Sequence, residues 1–282
     1  MESILKSIIL GIVQGLTEFL PISSTAHLRI IPALFKWSDP GTAFSAVVQL
    51  GTMFAVVIYF WKDLSKIYGA LLKDLLLWNK KPFSLNTHES KTAFWILLGT
   101  IPICVFGLLF KNPIEEGMVR NLNIISFYLV FFGILLFLGE MIAKQSRNIN
   151  KINVLDVLLL GLSQSFALIP GVSRSGVTLF AGLLLGFKRA DAARFSFLLS
   201  VPAVLASSLL ELNTLFQAVK VSGENIIWIN LFIGIVCAFI AGYFSIHFLL
   251  KYLQTHKTNI FVVYRVLLGA LVIYLSYKGV IH

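Results

Sequence analysis

The chain has 282 residues, 57% of them hydrophobic and 13% charged, with a mean hydropathy of +0.87. A soluble domain of this length would carry roughly twice that charged fraction, so a soluble globular fold is excluded and a polytopic membrane protein follows. The formal net charge of +10 does not point to nucleic acid: the basic residues sit in short stretches between apolar runs, as in WKDLSKIYGALLKDLLLWNKK and KQSRNINK, which is the positive-inside pattern. Cys104 and Cys237 are lone residues in apolar runs and give neither a disulfide framework nor a metal cluster.

The first apolar region, 3–35, is broken in its middle by LPISSTAH. It has no small-residue cleavage site, so it does not read as a signal peptide. Runs long enough to cross a bilayer follow at 43–60, 92–110 and 124–143. A second broken region, 152–186, carries IPGVSRSGVT at its centre, and further spanning runs lie at 195–213, 226–248 and 259–278. A bare backbone break cannot face lipid but is tolerated where protein or a water-filled cavity surrounds it. Both broken regions therefore read as re-entrant helix–loop–helix hairpins. The expected fold class is an all-α polytopic membrane protein, with about six transmembrane helices plus two hairpins in a single membrane domain, 1–282.

The hairpins resemble one another. GIVQGLTEFLPISST aligns with GLSQSFALIPGVSRS, with Gly11 and Gly161, Gln14 and Gln164, and Ser23 and Ser173 each separated by 150 positions. This argues for an internal duplication, one repeat over about 1–150 and the other over about 151–282. The basic connections 62–91, 144–151 and 251–258 are assigned to the cytoplasm, and the less basic 111–123 and 214–225 to the outside. Three crossings separate the hairpins, so the second enters from the opposite face, giving an inverted-topology repeat with two broken helices meeting near the midplane.

Where a hairpin helix restarts, its free N–H groups and positive dipole end suit an anion, phosphate in particular. In PGVSRSGVT, Gly171 allows close backbone approach, Ser173, Ser175 and Thr178 supply hydroxyls, and Arg174 supplies a guanidinium fork matched to phosphate oxygens. Helix capping with a snorkelling arginine would explain Arg174, but not the matching polar break in the other hairpin. In QGLTEFLPISSTAH, Gln14 and Glu18 share one helix face and are followed by Ser23, Ser24, Thr25 and His27. A carboxylate, a hydroxyl and an imidazole beside an anion-binding arginine are ingredients of phosphoryl transfer. The same architecture would also serve a transporter or flippase for phosphate or a phosphorylated lipid.

These two motifs together resemble the undecaprenyl-diphosphate phosphatase family, bacterial membrane enzymes associated with bacitracin resistance. The resemblance extends through AVVQLGTMFAVVIYFWKDL, FSFLLSVPAVLASS and YRVLLG. It implies hydrolysis of the polyprenyl diphosphate carrier to the monophosphate and inorganic phosphate, which recycles the carrier for cell-wall polymers. It also implies a multi-pass protein of the bacterial plasma (inner) membrane whose active site opens to the extracytoplasmic side. Membrane lipids are the expected surroundings, and a homodimer is an assembly compatible with the reading. By the same resemblance Glu18, Ser24, His27 and Arg174 are catalytic: Ser24 is the favoured nucleophile and His27 the acid or base. Gln14, Ser23, Thr25, Gly171, Ser173, Ser175 and Thr178 bind substrate. A divalent cation, Mg²⁺ or Ca²⁺, is expected to be held largely by the substrate with help from Glu18, because Gln14 places an amide where the family also uses a carboxylate. Arg194 stands where the family pattern favours an acidic residue, which touches only local loop contacts.

Overall fold

The computed structural model describes residues 2–77, 85–110, 121–222 and 226–281. Among these residues the regular structure is helical, with α1 (Glu2–Phe19), α2 (Ser24–Leu34), α3 (Gly41–Tyr59), α4 (Trp61–Leu77), α5 (His88–Leu109) and α6 (Leu122–Ile142) in the first half. The second half contributes α7 (Val154–Ser165), α8 (Arg174–Leu184), α9 (Arg189–Ser222), α10 (Ile226–Thr255) and α11 (Asn259–Tyr277). Five of these are long and apolar enough to cross a membrane, and α3 with α4 forms a sixth, bent by 80° at Phe60. The fold is thus an all-α polytopic membrane protein, and the six expected spans fall on α3, α5, α6, α9, α10 and α11.

Three expected connections turn out to be helical. The stretch 61–77, read as part of a basic loop, is α4: Leu64, Ile67 and Leu71 recur at helical spacing and are buried, while Lys62, Lys66 and Lys73 stay exposed. The remainder of that connection at 78–84, and the one at 111–120, lie outside the described residues. The expected outer connection 214–225 is helical as far as Ser222, and α10 continues to Thr255 into the expected 251–258 loop. Neither ELNTLFQAVKVS nor KYLQT contains a glycine or proline, so nothing in either stretch ends the helix.

Both hairpins break as expected. In the first, α1 ends at Phe19, Pro21 lacks a backbone donor, and Ser23 restarts the chain as the cap of α2, accepting from the Ala26 amide at 3.4 Å. In the second, α7 passes through a single 3₁₀ turn, Phe166–Leu168, before Pro170, and Ser173 caps α8 by accepting from the Gly176 amide at 3.1 Å. Ser23 has φ 73° and ψ 100°, and Ser173 φ 70° and ψ 109°. Such a left-handed backbone costs a non-glycine residue about 1–3 kcal/mol and persists only where the surroundings enforce it.

Each hairpin is seated on a long helix by small residues, the usual means of close helix approach in lipid. A Cβ on Gly11 would stand 2.5 Å from Gly234 O, and one on Gly15 2.6 Å from Ala238 O, so α1 lies directly on α10. A Cβ on Gly161 would stand 2.4 Å from Gly99 O, which seats α7 on α5 in the same way. At the end of the molecule carrying the basic connections, Arg147 holds the Asp156 carboxylate in two bonds of 2.9 and 2.6 Å and reaches Leu185 O at 2.9 Å, tying the outer ends of the second hairpin. Arg189 grips Glu140, and Arg194 pairs with Asp63 at 2.8 Å over the Phe60 ring. Arg194, which departs from the family pattern, thus finds its counter-charge in Asp63 on α4.

Gly161→Ala should be destabilising by roughly 1–3 kcal/mol, because its methyl meets backbone that cannot step aside. Gly69→Ala, with nothing within 4 Å of its Cβ, should be neutral or slightly stabilising. Thermal unfolding in detergent would separate the two, and equal midpoints would contradict the seating of α7 on α5.

Candidate active site

The two breaks share one cavity of about 390 Å³. Its polar floor is made by Glu18, Ser23, Ser24 and Thr25 from the first hairpin and by Ser173 and Arg174 from the second. Its walls are largely apolar, with Ile103, Gly107 and Leu108 on α5 facing Ala203, Ala206 and Leu210 on α9. The first residues of both restarting helices, α2 and α8, thus border the same space, which concentrates two positive dipole ends there.

Glu18 is the hub of the floor. One carboxylate oxygen, Oε2, accepts from Ser24 Oγ at 2.7 Å and from Gln14 Nε2 at 2.7 Å. The other, Oε1, pairs with the Arg174 guanidinium from the opposite hairpin. The side chains of Glu18 and Arg174 are only 5% and 15% exposed, so this pair is shielded from bulk water. A second stitch runs between the hairpins, from Ser175 Oγ to Leu20 O at 3.1 Å. Thr178 lies below the floor, where it donates to Arg174 O at 2.8 Å and meets Ser196 Oγ.

Not every expected residue reaches the cavity. Gln14 is fully buried one turn below Glu18, and its Oε1 has no partner. Gly171, φ 86°, is buried where its missing side chain lets the loop pass over Ile125 O. His27 stands behind the floor, with Nδ1 2.8 Å from Ser23 O and Nε2 2.6 Å from the Tyr264 hydroxyl. A carbonyl only accepts, so Nδ1 carries a proton, and in the neutral ring Nε2 accepts from Tyr264. The imidazole is therefore engaged at both nitrogens and supports the Ser23 turn.

One residue that sequence reasoning passed over is Arg265. It is completely buried in α11 and donates from Nε to Leu129 O at 2.9 Å and from Nη1 to Pro21 O at 3.1 Å. From Nη2 it donates to Gly171 O at 3.1 Å and to Val172 O at 3.0 Å. The signal was present, because Arg265 is the lone charge in NIFVVYRVLLGALVIYLSY, and a charge at that depth requires partners or a purpose.

Among the described residues no group of three or more His, Cys, Asp or Glu side chains is placed to hold a metal ion. The one carboxylate on the cavity floor is that of Glu18, and Gln14 turns its amide nitrogen rather than its oxygen to it. A single carboxylate suits a divalent cation that takes most of its ligands from elsewhere, as Mg²⁺ commonly does with phosphate oxygens.

Fold and site together define a multi-pass membrane protein with a polar-floored cavity built from two broken helices. Residues 7–271 match the family model described as bacitracin resistance protein BacA, and the chain belongs to that family. It is 50% identical to an undecaprenyl-diphosphatase of Chlorobaculum parvum over 274 residues, 95% of each chain. It is 48% identical to the enzyme of that name in Chlorobaculum tepidum over 274 residues, again 95% of each, and to that of Pelodictyon phaeoclathratiforme over 289 residues, 99% of each.

Because Nδ1 of His27 donates to a backbone carbonyl, His27→Asn, whose amide can still supply that donor, should retain clearly more turnover than His27→Ala. Steady-state kinetics of both variants would decide, and equal losses would assign the imidazole a role beyond holding Ser23.

Proposed function

We infer that the protein is an undecaprenyl-diphosphatase, hydrolysing undecaprenyl diphosphate to undecaprenyl phosphate and inorganic phosphate. The observation that carries this reading is the hydrogen bond from Ser24 to Glu18 with Arg174 on the other carboxylate oxygen, at the polar floor of an apolar-walled cavity. A long polyprenyl tail stays in lipid while its diphosphate must reach polar groups, and the division between floor and walls fits both needs. A site that only moved anions would have little use for a carboxylate beside the phosphate.

In the proposed sequence the diphosphate enters with its terminal phosphoryl group over Ser24. Arg174 exchanges Glu18 for phosphate oxygens, and the hydroxyls of Ser23, Thr25 and Ser173 border the same space. Ser24 Oγ attacks phosphorus while its proton passes to Glu18, so an O–P bond to serine forms as the anhydride bond to the lipid phosphate breaks. Water then attacks the phosphoserine, releasing inorganic phosphate and restoring Ser24 with the proton returned through Glu18. A divalent cation, Mg²⁺ or Ca²⁺, bound largely by the diphosphate with help from Glu18, would supply neutralising charge to the phosphate oxygens.

We further propose the setting of this chemistry. The equivalent caps at Ser23 and Ser173, and the equivalent seats at Gly11 and Gly161, support reading the halves 1–150 and 151–282 as inverted repeats. Lys66 of α4, Asn150 and Arg194 line one cavity of about 270 Å³, which supports placing the basic connections together on the cytoplasmic side of the plasma membrane. The catalytic cavity would then open toward the extracytoplasmic side.

Purified protein in detergent should release phosphate from a long-chain polyprenyl diphosphate and lose that activity with EDTA. Ser24→Ala and Arg174→Ala should each lower kcat by roughly 100-fold or more while remaining folded. No release by folded, metal-supplied wild type would overturn the assignment, and an unchanged Ser24→Ala would remove Ser24 as nucleophile.

A further inference from the structure

Arg265 belongs to neither hairpin and does not line the cavity, yet its guanidinium bonds both breaks: Pro21 O in the first, Gly171 O and Val172 O in the second. Pro21 lies three residues before Ser24 and Val172 two before Arg174, so these carbonyls belong to the loops that aim the two side chains. We propose that Arg265 is a positioning residue for turnover: its rigid fork fixes the distance between the hairpin breaks and so holds Ser24 opposite Arg174.

The chemistry of the guanidinium suits this task. Its donors lie in one plane at fixed angles, so bonding three carbonyls on two loops and a fourth on α6 leaves the loops little freedom to slide. The bonded carbonyls follow the ends of α1 and of the 3₁₀ turn at Phe166–Leu168, where helix dipoles favour a cation. Among the described residues Arg265 donates to carbonyls, which leaves Glu18 to Arg174, Ser24 and Gln14. Space has been kept for the group, since a Cβ on Gly133 would lie 3.3 Å from Arg265 Cβ and 3.5 Å from its Nε. The neighbouring Tyr264 braces the first loop independently, through His27 to Ser23 O.

This role rests on the phosphatase reading above, and two measurements keep the two apart. In folded Arg265→Met, kcat should fall about 100-fold with KM changed by no more than about threefold, because misalignment of roughly an ångström is costly to the chemical step while the phosphate-binding groups remain. Arg265→Lys should recover part of the loss. Gly133→Ala, which presses on the guanidinium without removing a polar group, should lower kcat by about threefold. The second measurement is hydrogen exchange over 19–26 and 169–176, which should speed up in both segments of Arg265→Met and less in Arg265→Lys. That arm reads the tie whether or not the protein turns over substrate, so an inactive wild type would sink the phosphatase reading alone. The positioning role is overturned if Arg265→Met keeps kcat within roughly twofold of wild type, or if exchange rises in one hairpin only.

Discussion

A polypeptide that stops being helical inside a membrane exposes carbonyl and amide groups to surroundings that cannot solvate them. The protein does this twice, at residues 20–23 and 169–173, and the rest of the structure follows from how those groups are satisfied. The carbonyls at the two breaks turn to Arg265, which takes Pro21, Gly171 and Val172 together. The restarting helices turn the other way, and their first residues border the cavity. Negative helix ends are thus met by a cation belonging to the protein, and positive helix ends face the cavity, where the proposed substrate would place its phosphates. Neither half of that division works without the other, because a loop free to rearrange would satisfy its amides internally.

The two breaks share a backbone but not a chemistry. Ser23 and Ser173 have almost the same φ and ψ, and each caps its helix and contacts a hydroxyl two residues on, Thr25 at 3.1 Å and Ser175 at 3.2 Å. At the next position the first hairpin carries Ser24 and the second Arg174. One turn before the break the first carries Glu18, and the equivalent residue 150 positions later is Leu168. Ser24 and Glu18 therefore come from one hairpin and Arg174 from the other, so the ion pair between Glu18 and Arg174 exists only when both hairpins are in place. The fully buried Gln14 and Gln164 preserve the likeness at a deeper level.

What could be read from the sequence was local. Apolar runs of spanning length, proline-centred breaks and the four-residue spacing of Gln14 and Glu18 each depend on neighbours in the chain, and each is found where expected. The misreadings arose where one local signal masked another. Lysines in 62–73 looked like a connecting loop, although Leu64, Ile67 and Leu71 already marked a helical face. Contacts between distant segments were not legible. The partner of His27 is Tyr264, 237 positions away, and nothing near His27 announces that both its nitrogens are taken. Arg265 is the intermediate case: its isolation in an apolar run demanded an explanation, but the carbonyls it serves lie 93 to 244 positions away.

In the proposed mechanism, the ion pair across the cavity also explains why a carboxylate can stand beside a bound diphosphate. Placed alone beside a diphosphate, Glu18 would repel it; paired with Arg174, it presents no net charge. An incoming diphosphate would compete for the same guanidinium, since Arg174 and Glu18 both line the cavity. Once the guanidinium has moved to phosphate oxygens, Glu18 is left without its counter-charge while still accepting the Ser24 hydroxyl at 2.7 Å. Binding of the substrate thereby removes the cation from the group that must next take a proton. In that mechanism the order of events is set by one arginine with two competing acceptors, one a carboxylate on the opposite hairpin and the other the arriving phosphate.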